Sequence, residues 1–259
     1  MKFPKLMGIL NLTPDSFSDG GKFNNMERAI ARAIEIENSG AEILDIGGES
    51  TGPNSKDVSE QVELRRVIPT LKEIQKRINI EISVDTSKSK VAQAALKNGA
   101  TIINDITGLR GDEYMAETIA EHESKVVIMY AKDGTPRTTI MAKKYKDVIK
   151  TISDFFEKRI AYAVSKGIKR KNIILDPGFG HFISSIPSYS YQIIAELPNL
   201  KKFGLPILLG ISRKSALGGA LEDRDKRGLP LNAVAYLQGA DILRVHKVKE
   251  TKEFLSNLF

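Results

Sequence analysis

Eight short apolar segments recur along the chain, separated by longer segments of mixed polarity. The short segments are rich in Ile, Leu and Val and are apolar at consecutive positions. This pattern is typical of strands buried on both faces, as in a parallel sheet. The segments occupy residues 6–12, 42–47, 81–86, 101–106, 125–130, 172–177, 206–212 and 240–245. The sequence therefore predicts eight parallel strands.

The segments between these strands have the period of amphipathic helices. In 26–38, for example, Ala29, Ile30, Ala33 and Ile34 fall on one apolar side. Similar periodicity predicts helices over residues 60–78, 88–98, 113–121, 146–166, 188–197 and 249–258. Glycine, the expected residue just past a helix end, precedes four of the predicted strands: Gly40, Gly99, Gly167 and Gly239.

The alternation of strands and helices predicts a single (β/α)₈ barrel. The 259 residues divided by eight give about 32 residues per unit, which suits βα units of about 30 residues and a barrel of about 250. The competing fold, a doubly wound open sheet, would need fewer strands and usually a Gly-rich turn after the first strand. No GxGxxG motif follows any predicted strand, and no linker interrupts the chain. We therefore expect one domain over residues 1–259.

Composition removes several kinds of chemistry. The chain has no Cys and three His, and its 39 basic and 32 acidic residues give a net charge of +7. Disulfides, Cys-ligated metal sites and a Cys nucleophile are excluded. No apolar run reaches the roughly 18 residues of a membrane span, and the N-terminus does not resemble a signal peptide, so a cytoplasmic protein is expected. The scattered basic residues and sparse aromatics do not indicate nucleic-acid binding, but they are compatible with an anionic small substrate.

Polar residues collect at the carboxyl ends of the predicted strands. These residues are Asn11, Asp45, Asp85, Asn104, Asp105, Asp176, Ser212 and Arg244. The carboxyl ends of barrel strands converge on the face where active sites lie, and buried polar groups are costly unless they are paired or used. The strand ends therefore predict a binding or catalytic site.

The residue types indicate what this site binds. Acceptor and amide groups suit a planar heterocycle with several N–H donors, and the candidates are Asp85, Asn104 and Asp176. Cationic or imidazole groups suit an anion such as phosphate, and the candidates are Lys214, Arg244 and His246. Asn11 supplies a hard oxygen suited to Mg²⁺ that is held partly by substrate phosphates. Asp45 receives no role, and Asp105 is expected to point away from Asn104 because strand neighbours alternate.

Several segments closely resemble the dihydropteroate synthase family of folate-pathway (β/α)₈ enzymes. The matching motifs are MGILNLTPDSFSDGG, AEILDIGGEST, ISVDTSK, IINDITG, ILDPGFG, ISRKSALG and RVH, which begin at residues 7, 41, 82, 102, 174, 211 and 244. They run from near the start of the chain to near its end, in the family's order and spacing. The first motif and the last two are the most specific.

The resemblance implies a reaction and a set of site residues. Such an enzyme joins 4-aminobenzoate to 6-hydroxymethyl-7,8-dihydropterin diphosphate, with Mg²⁺, and commonly as a homodimer. The implied pterin diphosphate ligands are Thr51, Asp85, Asn104, Asp176, Lys214, Arg244 and His246. Among them Asp85, Lys214, Arg244 and His246 are the implied catalytic residues, and Asn11 is the implied Mg²⁺ ligand. The implied second-substrate region contains Pro53, His181, Phe182 and Ser212. The loops at 13–21 and 49–55 are expected to fold over the site as mobile lids.

Four positions depart from the family pattern on the second-substrate and loop side. Gly52 stands where the family usually has Arg, and Lys247 replaces the Asp of the usual RVHDV. The stretches 129–131 and 181–183 also differ from the family pattern. The stretch DPGFGHFISS at 176–185 resembles sulfonamide-insensitive members, so weak sulfonamide binding is expected. Two alternatives to the synthase stay open, a pterin-dependent methyltransferase and a pterin-binding paralogue without synthase activity.

Overall fold

All eight predicted strands are present, and neighbouring strands pair in parallel. The structure, a computed structural model, describes residues 3–13, 22–53 and 55–259. The strands are β1 (Lys5–Asn11), β2 (Ile43–Gly47), β3 (Glu81–Asp85), β4 (Ile102–Asp105), β5 (Lys125–Met129), β6 (Ile173–Asp176), β7 (Leu208–Leu209) and β8 (Ile242–Val245). Their order confirms the predicted (β/α)₈ barrel.

The sheet closes between β6 and β7. The strand order runs from β6 through β1 to β8 and then β7, and a parallel bridge joins Leu175 to Ile207. The Leu175 N–H donates to the Pro206 carbonyl at 2.9 Å. Strand β7 is shorter than the predicted 206–212. At its start, Pro206 has no N–H to donate to the ladder.

Helices cover the outside of the barrel. They are α1 (Lys22–Asn38), α2 (Glu60–Gln75), α3 (Ser89–Lys97), α4 (Met115–Glu121), α5 (Val148–Ser165), α6 (Ser188–Ala195), α7 (Leu221–Leu237) and α8 (Val248–Leu258). The sequence did not predict α7, because Gly228 and Pro230 lie inside it and both are poor helix formers. Two of the predicted stop glycines, Gly40 and Gly239, have φ of +91° and +99°, as a helix-ending glycine requires. No helix in the described ranges is long and apolar enough to cross a membrane.

The buried core has two main parts. A large cluster lies between the strands and the helices, and a smaller one contains one residue from each of seven strands: Met7, Ile43, Ile102, Val127, Ile174, Leu208 and Ile242. Because side chains alternate along a strand, the residues two positions further on lie in the next layer of the barrel interior. That next layer includes Asp45, Asn104, Asp176 and Arg244. The fold therefore places a polar layer directly above an apolar one.

Candidate active site

The polar layer is held together by Arg244. Its Nε donates to Asp45 Oδ2 at 2.6 Å, and its Nη2 donates to Asp85 Oδ2 at 2.7 Å. Asn104 Nδ2 donates to the same Asp45 oxygen at 3.2 Å. Strands β2, β3, β4 and β8 thus contribute to one network. Charge-assisted bonds of this kind are short and strong, so the network fixes the side chains at the centre of the site.

Burial changes the ionisation of this network. It raises the pKa of Asp85 to about 7, against the opposing charge of Arg244, and that of Asp176 to about 6, against the Gly178 N–H bond and Lys214. Burial alone would lower the pKa of Arg244, but Asp45 and Asp85 raise it above its usual value. Perturbed carboxyl groups in a cleft are typical of functional sites.

Lys214 brings a second cation to the polar layer. Its Nζ lies 4.5 Å from the centre of the Phe182 ring, which is a cation–π distance. Burial, together with the nearby Arg244, lowers the pKa of Lys214 to about 8. The ammonium therefore stays largely charged at neutral pH.

His246 follows β8 and is bound by Ser212. The distance from Ser212 Oγ to His246 Nδ1 is 3.0 Å, and Ser212 Oγ lies 3.2 Å from Asp225 Oδ1. Asp225 also accepts from Arg213 Nε at 3.0 Å. Burial and the surrounding cations, Arg213 first among them, lower the pKa of His246 to about 2. The imidazole is therefore neutral in this structure.

Two adjoining cavities contain most of the predicted site residues. The smaller, of about 180 Å³, is lined by six of them: Asn11, Thr51, Asp85, Lys214, Arg244 and His246. The larger, of about 550 Å³, is lined by all four residues of the predicted second-substrate region, Pro53, His181, Phe182 and Ser212. Asn104 and Asp176 line neither of the two cavities, and both side chains are buried in the polar layer. Lys214, Arg244 and His246 line both, so the two predicted halves of the site meet at these residues.

The loop after β2 is tied to the loop after β5. Arg137 pairs with Glu49 and Asp57 and donates to the Lys56 carbonyl at 2.8 Å. The Thr138 N–H donates to the Thr51 carbonyl at 3.3 Å. Glu49 lines the smaller cavity, so its partners partly neutralise a carboxylate beside the predicted anion site.

Two lysines complete these loop connections. Lys88 pairs with both Glu49 and Glu63, and although burial opposes the charge, these partners raise its pKa. The fully buried Lys132 ammonium donates at 2.7 Å to the carbonyls of Thr139 and His181. The loop after β5 is thereby fixed to the loop after β6, which carries His181.

Asp105 points away from the site, as the alternation of strand residues predicts. Its Oδ1 accepts from Thr107 N at 2.8 Å and from Thr107 Oγ1 at 2.7 Å, and its Oδ2 accepts from Leu109 N at 2.8 Å. Asp105 therefore shapes the turn after β4 and contributes no group to the cavities.

Asn11 is suitably placed for a magnesium ion. It lines the smaller cavity together with Lys214 and Arg244. Its Oδ1 lies close to Gly47 on the neighbouring strand β2, at 3.6 Å from where a Cβ of that residue would be. Across the described residues no group of three or more His, Cys, Asp or Glu could hold a metal ion. The amide oxygen of Asn11 is a hard donor of the kind that Mg²⁺ binds together with water and phosphate oxygens.

The sequence analysis missed three residues of this site, and the structure describes only part of the two predicted lid loops. Asp45 was visible as a polar strand residue but received no role. Asp225 lies in α7, a helix that the sequence did not predict, and Arg137 meets Glu49 across 88 residues, so neither had a signal in the sequence. Of the predicted lid loops, residues 14–21 and 54 lie outside the described residues.

Comparisons with known proteins identify the family of this chain. The family profile described as pterin binding enzyme matches residues 7–246. The dihydropteroate synthase of Escherichia coli K12 is 43% identical over 257 residues, covering 98% of this chain and 90% of the relative. A Clostridium difficile dihydropteroate synthase structure, determined in the presence of pteroic acid, has a TM-score of 0.90 at 40% identity and covers 98% and 95% of the two chains.

A second solved structure was determined with 4-aminobenzoic acid. The Xanthomonas albilineans dihydropteroate synthase with 4-aminobenzoic acid has a TM-score of 0.91 at 37% identity, covering 98% of this chain and 92% of that one. These similarities extend over nearly the full length of the chain and confirm the resemblance seen in its motifs. The chain belongs to the dihydropteroate synthase family of pterin-binding enzymes.

Proposed function

We propose that this chain joins 4-aminobenzoate to 6-hydroxymethyl-7,8-dihydropterin diphosphate, with release of diphosphate and formation of 7,8-dihydropteroate. The observation that carries the proposal is the contact between a buried carboxylate and amide layer and a cationic pocket, made through Arg244. A heterocycle and an anion joined by one carbon would span these two regions.

The polar layer serves the pterin ring. Asp85, which lines the smaller cavity, would accept from its N–H groups, and the buried Asn104 and Asp176 would add an amide and a second carboxylate once the ring enters the polar layer. As the C–O bond to diphosphate breaks, positive charge develops on the pterin, and nearby buried carboxylates stabilise that charge more strongly than water would. Asp45, which holds Arg244 and Asn104, orients the groups that contact the ring.

The cationic pocket serves the diphosphate. Lys214, Arg244 and His246 line it together with Thr51, and the planar guanidinium of arginine can bind two phosphate oxygens at once. Arg244 contacts both the carboxylates and this pocket, so binding of the diphosphate draws its charge toward the leaving group. Asn11 would hold Mg²⁺, which supplies charge stabilisation to the departing diphosphate.

The larger cavity serves 4-aminobenzoate. It opens beside Lys214 and Arg244 and is lined by Pro53, His181, Phe182 and Ser212. The amine nitrogen attacks the pterin methylene carbon and afterwards loses a proton. Because the arylamine is already a nucleophile when neutral, the step needs position more than a strong base.

We also propose that the enzyme is a homodimer. Val234 and Leu237 of α7 and Leu258 and Phe259 at the chain end are exposed, and the Phe259 ring lies 5.2 Å from that of Tyr236 on α7. The ring contact brings the chain end beside α7, and exposed apolar residues that lie near one another are common at protein interfaces. Light scattering with Leu237→Glu and Leu258→Glu variants tests this, since a dimer through this face should dissociate. Cytoplasmic location stays a prediction.

An assay of diphosphate release tests the function. With both substrates and Mg²⁺ we expect release, and omission of 4-aminobenzoate should slow it strongly. Tight pterin binding without turnover would favour the inactive paralogue, and methyl transfer from a methyl donor would favour the methyltransferase. Lys214, Arg244 and His246 together support the synthase, because neither alternative needs a diphosphate pocket.

A further inference from the structure

Asp225 is a partly buried carboxylate just outside the two cavities. It lies in the second turn of α7, and its side chain is 13% exposed. Asp225 Oδ1 is 3.2 Å from Ser212 Oγ, and Ser212 Oγ is 3.0 Å from His246 Nδ1. The three side chains therefore form a continuous hydrogen-bonded chain from α7 to the predicted diphosphate pocket.

The protons in this chain have a preferred direction. A serine hydroxyl has one proton to donate, and an ionised carboxylate can only accept. Asp225 is the stronger acceptor, so the Ser212 hydroxyl donates to Asp225 and His246 Nδ1–H donates to Ser212 Oγ. The ring nitrogen left for the diphosphate is then Nε2. The serine stands between the histidine and the carboxylate, so it is not activated as a nucleophile.

We propose that Asp225 is a positioning residue for the diphosphate, acting on His246 through the Ser212 hydroxyl. It directs Nε2 of His246 toward the anion and stabilises the positive charge that His246 acquires when diphosphate binds. The proposal deepens the proposed function, since it assigns a role to Asp225 in the same reaction.

The surrounding charges explain why His246 would take up a proton only with the anion. The charges of four cations disfavour the charged form of His246: Arg213 and Lys214 from the loop after β7, Arg244 from β8 and Arg32 from α1. Asp225 is the carboxylate that reaches it, through one hydroxyl. Bound diphosphate would offset the four cations, and the imidazolium would then have an acceptor at both nitrogens.

A simpler role for Asp225 would be to hold Arg213. Arg213 has φ of +60°, a conformation that few residues other than glycine adopt, and it pairs with Asp225 through Nε and Nη2. Ser212→Ala separates the two roles, because it breaks the chain to His246 and leaves the Arg213–Asp225 pair in place. Ser212→Thr keeps a hydroxyl and should restore the chain.

Imidazole ¹⁵N NMR measures directly which ring nitrogens of His246 carry a proton. The chain has three histidines, so variants at His122 and His181 assign the His246 signals. In the free enzyme we expect Nδ1 protonated and Nε2 unprotonated, and inorganic diphosphate with Mg²⁺ should protonate Nε2. Asp225→Asn and Ser212→Ala should both lose the Nδ1–H form and the diphosphate-linked protonation, whereas Asp241→Asn, at the other end of the barrel, should not.

Calorimetry in buffers of different ionisation enthalpy measures the same event as proton uptake. We expect uptake in the wild type, and a loss of diphosphate affinity of about tenfold in Asp225→Asn and in Ser212→Ala, as for one charge-assisted hydrogen bond. Unchanged His246 signals in both variants would overturn the proposal. An effect of Asp225→Asn that Ser212→Ala does not share would also overturn it, because Asp225 would then act through Arg213.

These measurements use binding and do not require turnover. If the wild type catalyses the synthase reaction but the His246 signals do not change in the Asp225 variant, the proposed role of Asp225 is wrong and the proposed function stands. If the His246 signals depend on Asp225 and Ser212 as expected but the wild type catalyses no condensation, the role of Asp225 in a diphosphate site stands and the proposed function fails.

Discussion

The substitution Asp85→Asn separates the chemistry of the site from the stability of the fold. Asn keeps the size of the side chain and an acceptor oxygen, which can still take the Arg244 Nη2 bond of 2.7 Å. It removes the negative charge that would stabilise the pterin cation. Loss of one preorganised electrostatic partner typically costs about 10²–10³ in kcat, and we expect kcat/KM to fall by that amount.

The free energy of unfolding of the Asp85→Asn variant should depend on pH differently from that of the wild type. Burial raises the pKa of Asp85 from 3.8 to about 7, so the folded protein binds a proton more tightly than the unfolded chain does. The stability associated with this proton is complete below pH 4 and is lost as the pH rises toward 7. The variant lacks this loss, so its free energy of unfolding relative to the wild type should increase between pH 4 and 7.

Two assays check this prediction. Steady-state kinetics at saturating 4-aminobenzoate gives kcat/KM for the pterin diphosphate, and urea unfolding at pH 4 and pH 7 gives the stability difference. Asp241→Asn, which changes an exposed carboxylate paired with Lys201, is the matched control. Turnover of Asp85→Asn within a few fold of the wild type would refute the role of Asp85, and unfolding of the variant at pH 7 would refute the electrostatic argument.

Four further predictions concern the loops, the cations and the ligands. Arg137→Ala should raise KM for the pterin diphosphate on the order of tenfold, because Glu49 loses a partner beside the anion pocket. Arg65→Ala, on the exposed side of α2, should leave KM unchanged, and equal KM values in the two variants would contradict a role of the Arg137–Glu49 pair in substrate binding. Lys214 has a pKa of about 8, so kcat/KM should fall as the pH rises above 8, and Lys214→Arg, which stays charged, should lose that decline; a decline that persists would assign it to another group. Chelation of divalent cations should weaken diphosphate binding measured by calorimetry, with recovery on adding Mg²⁺, whereas unchanged affinity would remove Asn11 as a metal ligand. Sulfamethoxazole should inhibit weakly, and an inhibition constant as low as that of the Escherichia coli synthase measured alongside would contradict this.

The barrel was predictable because its signals are local. Strand segments that are apolar at consecutive positions, and the polar residues two positions beyond Ile43, Ile102, Ile174 and Ile242, follow from the period of a strand alone. Helix α7 escaped prediction because Gly228 and Pro230 interrupt its pattern, and packing against the barrel overrides those weak preferences.

The long-range contacts of the site were not predictable in the same way. Arg137 meets Glu49 across 88 residues, and Arg244 meets Asp45 across 199. A charged residue in a loop has the same sequence signature whether it faces solvent or holds a neighbouring loop. The motifs pointed to Lys214, Arg244 and His246, but the contact of Asp225 with Ser212 depends on how α7 packs beside the loop after β7, which no short segment encodes.

Product identity tests the central claim most directly. Incubation with pterin diphosphate and 4-aminobenzoate labelled with ¹⁵N at the amine, followed by mass spectrometry, identifies where the nitrogen goes. We predict labelled 7,8-dihydropteroate and diphosphate in equal amounts. Diphosphate released without labelled product, or bound substrate with no turnover, would contradict the proposed reaction.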